Sequence, residues 1–172
     1  YKATSENLGY NTDTRLVRFF ADGIVQSDAT TLFPKNGSTY DAERKFADFK
    51  GRSNIIHESR FIEADDMKYN QETGWAMGRG KVIAIDTAEK TTIWCGHILY
   101  NDKSGKMQAT IKPIIRREGE DDTAFQRSDT MFAEPLANLE RPDAGAVDTA
   151  QLEMDRLIDM LTKGVEVDST QV

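Results

Sequence analysis

The chain has 172 residues, enough for one domain with its own core and no need of disulfide or metal staples. Its composition, 38% hydrophobic and 30% charged, reads as soluble and globular, and no apolar stretch approaches the length of a membrane helix. With 22 Lys and Arg against 29 Asp and Glu the net charge is -7, which argues against a nucleic-acid surface, since that needs a basic stripe.

Cys95 is the only cysteine, so neither an intrachain disulfide nor a cysteine-based metal cluster can form. The two histidines, His57 and His97, stand in no H-x-H or H-E-x-x-H spacing, so no metal site is expected. Tyr1 opens the chain without an initiating Met or a charged-then-apolar signal pattern. Its start therefore fixes no compartment, and a soluble, cytoplasmic protein is the expectation.

Residues 1–11 are polar and aperiodic and read as an N-terminal arm. In "TDTRLVRFFADGIVQSD", Leu16, Phe19, Phe20 and Ile24 recur at helical spacing behind a Thr12 or Asp13 cap, which predicts a helix. Asp28 can cap a second, short helix through Leu32 and Phe33 that stops at Pro34, with a turn at Asn36-Gly37. A short strand at 38–42 and an irregular link to Gly51 follow. The period then changes to two. "NIIHESRFIEA" predicts a strand, "DDMKYNQETG" a polar connection, and "WAMGRGKVIAIDT" and "TTIWCGHILYND" two long strands. "KSGK" supplies a tight turn, and "MQATIKPIIRRE" completes an antiparallel meander with an edge, bulge or bend at Pro113. Beyond residue 118 the chain reads as a surface-wrapping extension. It ends in an amphipathic helix over about 148–163, with Ala150, Met154, Leu157, Ile158 and Leu161 in one stripe, packed on its own domain or on a second subunit. No internal repeat is apparent.

Helices followed by long antiparallel strands give an α+β order. "FFADGIVQSDATTLFPKNGSTYD", "IIHESRFIEADD", "GWAMGRGKVIAID", "TIWCGHILYND" and "GKMQATIKPII" together resemble the NTF2-like superfamily, specifically its SnoaL-like enzymes, over about residues 12–117. The resemblance implies a cone, a curved antiparallel sheet wrapped around N-terminal helices, and homodimers or higher homo-oligomers. It also implies that Asp28 and His57 correspond to the family's catalytic Asp-His pair. A neutral imidazole would remove a proton while the carboxylate holds its other nitrogen, giving a cofactor-independent lyase or isomerase for a small, apolar, aromatic or polycyclic molecule.

Phe33, Trp75, Arg79, Trp94, His97 and Tyr100 are the candidate substrate-binding residues, with Arg79 able to meet an oxyanion. Strand alternation puts Ile93, Cys95, His97 and Leu99 on one face and Trp94, Ile98 and Tyr100 on the other, and either face could line a pocket. Each of these residues also has a plain reading: His57 as a core histidine, Asp28 as a helix cap, the aromatics as core. The alternative function is a non-catalytic binding or assembly module.

Overall fold

The structure, a computed structural model, describes residues 1–27 and 29–135. They form β1 (Lys2–Ser5), β2 (Leu8–Asn11), β3 (Leu16–Phe19), β4 (Gly23–Ser27), β5 (Thr30–Phe33), β6 (Thr39–Asp41) and β7 (Phe46–His57). β8 (Arg60–Asn70), β9 (Trp75–Asp86), β10 (Thr91–Asn101), β11 (Met107–Thr110), β12 (Ile114–Glu118), β13 (Thr123–Arg127) and β14 (Thr130–Ala133) complete one antiparallel sheet. Residues 1–134 are one compact unit and Pro135–Val172 a second. The expected helix at about 148–163 lies outside the described residues.

The α+β cone is overturned, because no helix stands among the described residues and the sheet packs on itself. Where the first helix was expected, β3 and β4 alternate instead, with Val17, Phe19, Gly23 and Val25 inward. A helix would have buried the stripe Leu16–Phe20–Ile24, yet Phe20 is 50% and Ile24 39% exposed. The apparent period came from two short strands joined across residues 20–22, and the β-branched Val17, Ile24, Val25, Thr30 and Thr31 favour the extended form. The second helix is β5, the arm is β1 and β2, and residues 123–133 supply β13 and β14. "NIIHESRFIEA" is a hairpin rather than one strand, turning at Glu58 and Ser59 with Glu58 at φ 53°, and of the expected polar connection residues 65–70 are the second half of β8 while 71–74 form the turn to β9.

Pairing divides the sheet into two leaves. β1, β4, β5, the second half of β7, the first of β8, the second of β9, the first of β10, β12 and β13 pair in that order in leaf I. β2, β3, β6, the remaining halves of β7 to β10, β11 and β14 do so in leaf II. The chain thus makes nine traverses, each crossing both leaves, four of them as unbroken long strands.

Where the long strands change leaf, the register shifts: between Lys50 and Ser53, between Glu63 and Asp66, and between Cys95 and His97. Bulges bend strands, so a row of them makes a crease along which one sheet folds into two layers. Gly51, Gly80 and Lys81 take positive φ there. At the far ends the leaves meet again. Gln71 Nε2 donates to Ser27 Oγ at 2.7 Å, and the Arg60 guanidinium lies 5.6 Å from the Tyr100 ring centre. Phe19, Phe49, Met67, Ile98, Val25 and Val82 are fully buried between the leaves.

A repeat does run through the chain. Tyr10, Tyr40, Tyr69 and Tyr100, at intervals of 30, 29 and 31 residues, each precede an Asn or Asp that opens a turn at the tip of leaf II. Asn11, Asp41 and Asn101 each accept two turn amides through Oδ1, and Asn70 accepts one. Four residues on, Arg15, Lys45, Gly74 and Gly105 each take positive φ. The repeat escapes notice because only Tyr-Asx is shared and the left-handed position varies between Gly, Arg and Lys.

Candidate functional site: the tyrosine seam and the open edges

The four repeat tyrosines lie in one row of leaf II, with Val17, Ala47, Ala76 and Met107 as their cross-strand neighbours. Tyr40, Tyr69 and Tyr100 alternate with the small Ala47 and Ala76, and this stretch of the row faces the opposite leaf. There Ser27, Thr30, His57, Arg60 and Asp86 form a polar row by successive pairing. Tyr69 donates to Asp102 Oδ2 at 2.8 Å, and Tyr40 to Gln71 Oε1 at 3.3 Å. Burial, and then the Asp102 carboxylate, push the Tyr69 hydroxyl well above its ordinary range. Burial also raises Tyr100, against the opposing effect of Arg60.

His57 shares strand parity with the core residue Ile55, so it faces inward, into this seam. Its Nδ1 lies 2.8 Å from Thr30 Oγ1, and Thr30 is buried. Asp28 lies outside the described residues. Tyr100 shares the seam, but the other expected pocket residues do not. Trp75, Arg79 and His97 lie on the outer face of leaf II, where Arg79 pairs with both Asp66 and His97. Burial and then the Arg79 charge lower the His97 pKa. Phe33 and Trp94 have the parity opposite to the core residues Leu32 and Ile93, so both stand on the outer face of leaf I, Arg116 lying 5.7 Å from the Trp94 ring centre.

Simple alternation along β10 fails for a physical reason. Gly96 sits at the bulge, so Ile93 and Cys95 face the core before it and Ile98 after it, leaving His97 and Leu99 on the outer face. Gly96 is required there because an added Cβ would stand 2.6 Å from Ile111. Sequence reading therefore missed Thr30, Arg60 and Tyr69. The Tyr-Asx recurrence was the signal that could have found the seam.

The two ends of the stack differ from its middle. Among the described residues β1 pairs only with β4, β2 only with β3, β13 only with β12 and β14 only with β11. Tyr1, Tyr10 and Phe20 are 50–58% exposed at the first end, and Phe125 and Phe132 are 68% and 60% exposed at the other. Between the last two traverses a cavity of about 260 Å³ opens, lined by Met107, Ile115, Arg117, Gln126 and Met131 among others.

No protein-family model matches this chain, and no curated protein matches it in sequence. Among the described residues no helix is long and apolar enough to cross a membrane.

Proposed function

We propose that this chain is a non-catalytic assembly module that associates with a second copy of itself by strand pairing at its open ends. The carrying observation is the first traverse, β1 and β2, which among the described residues is paired on one side only in both leaves and is flanked by exposed Tyr1, Tyr10 and Phe20. Soluble sheets ordinarily protect such edges with charge, proline or bulges. β1 carries Lys2 as its one charge, and β2, "LGYN", has neither charge nor proline. A second copy that continues both ladders would satisfy the outward backbone groups and cover the aromatic rings together.

The elimination chemistry expected of His57 and Asp28 drew its support from a cone that the two-leaf sheet replaces, and it is not carried forward. Sedimentation velocity over a wide concentration series tests the assembly reading. The expected mass of the wild type rises with concentration. A Thr4→Lys/Tyr10→Lys variant, charged on both exposed edge strands, remains folded by circular dichroism and monomeric. A wild-type chain that keeps monomer mass throughout the series refutes the reading.

A further inference from the structure

We infer that Arg52 is a positioning residue that sets the angle between the two leaves. It sits inside the register shift of β7, and its guanidinium reaches the bulges of the next two strands. Nε donates to Glu63 Oε1 at 2.8 Å, and Nη2 lies 2.7 Å from the same oxygen. Nη1 donates to Asp65 Oδ1 at 3.1 Å and to the Lys81 carbonyl at 2.7 Å. One planar group therefore joins β7, β8 and β9 where each bends.

The carbonyl it satisfies is one the sheet does not use. Gly80 and Lys81 pair in neither ladder of β9, and both take positive φ. Asp65 likewise has no ladder partner, and it leans over Gly80 so closely that a Cβ there would stand 2.7 Å from its Oδ2. A guanidinium fork fixes direction as well as charge, whereas an ammonium supplies a point charge alone. Arg52, Glu63 and Asp65 keep 35%, 26% and 44% side-chain exposure, so the ion pairs add little to stability. What they fix is geometry, because four short contacts hold three adjacent bulges in one relative orientation.

The consequence rests on the assembly reading: a partner traverse must meet the edges of both leaves at once, so the crease angle decides which edges can continue the stack. The test does not depend on that reading. In the full chain with Cys95→Ala, spin labels are placed by Glu43→Cys and Glu58→Cys, at the two ends of β7. Distances are measured in dilute solution, where the chain is monomeric. The parent is expected to give one narrow distribution. Arg52→Gln and Arg52→Lys should both broaden it and shift it to longer distance. Lys35→Gln, which removes a like charge from the exposed pair with Asp22, should leave it unchanged. Should Arg52→Gln fail to fold, Glu63→Gln removes the main acceptor charge and carries the same expectation. A variant distribution superposing on the parent, whatever its melting temperature, overturns the inference. Failure of self-association would appear separately, in the sedimentation of the wild type.

Discussion

Gly80→Ala probes the crease most directly. Gly80 has φ 78°, in the left-handed region where a side chain costs about 1–2 kcal/mol. The new methyl would also stand 2.7 Å from Asp65 Oδ2 and 3.0 Å from Asp65 Cβ, so the carboxylate must swing away from Arg52. That pair is 35% and 44% exposed, which limits its loss to under about 1 kcal/mol. Together these give a destabilisation of about 1–3 kcal/mol, or a fall in melting temperature of about 3–10 °C for a unit of this size. Urea denaturation followed by circular dichroism measures it, and a cycle with Asp65→Ala separates the causes. Asp65→Ala should recover the carboxylate's share of the clash and leave the backbone part, so the double variant should be more stable than the sum of the single changes implies. A Gly80→Ala cost within about 0.5 kcal/mol, ordinary for a surface position, would refute the crease geometry. Strict additivity would show that Asp65 does not press on Gly80.

Two further outcomes follow from the titration of buried and half-buried groups. Burial alone would raise Asp86, but hydrogen bonds from the Glu89 amide, Arg60, Ser59 and the Ala88 amide outweigh it and leave its pKa lowered. A carboxyl depressed by folding contributes stability that is present above its unfolded value, about 4, and is lost as pH falls through the lower folded value. The acid limb of a melting-temperature profile should therefore flatten in Asp86→Asn, and an unchanged limb would count against the hydrogen bonds to Asp86 as its source. The Cys95 thiol is pushed up to about 11 by burial. A thiol reagent at pH 8 should leave the native chain unmodified and label it fully in urea, and fast native labelling would contradict the packed core around β10.

Much of the second half of the sheet was legible from alternation. β9, β10, the turn after Asn101 and the break at Pro113 all stand where period-two patterning and turn residues put them. The first half was misread because Leu16, Phe20 and Ile24 mimic a helical stripe when two four- to five-residue strands follow one another at the right interval. So few residues cannot separate the two periods, and here long-range pairing, of Val17 with Tyr40 and of Leu32 with Ile55, decided the matter. For the site, the residue types were visible but their grouping was not. One bulge at Gly96 is enough to move His97 from the Cys95 face to the opposite one.

By itself the sequence determined the turns, since an Asn or Asp side chain captures its own backbone amides whatever surrounds it. It likewise determined the strand character of residues 75–101 and the impossibility of an intrachain disulfide with one cysteine. Only the tertiary structure decided that one sheet folds along a crease, that His57 meets Thr30 in a seam, and that among the described residues the first traverse is paired on one side alone. The physical reason is one of range. Turn chemistry is settled within five residues, whereas the crease exists only where the bulges of adjacent strands align.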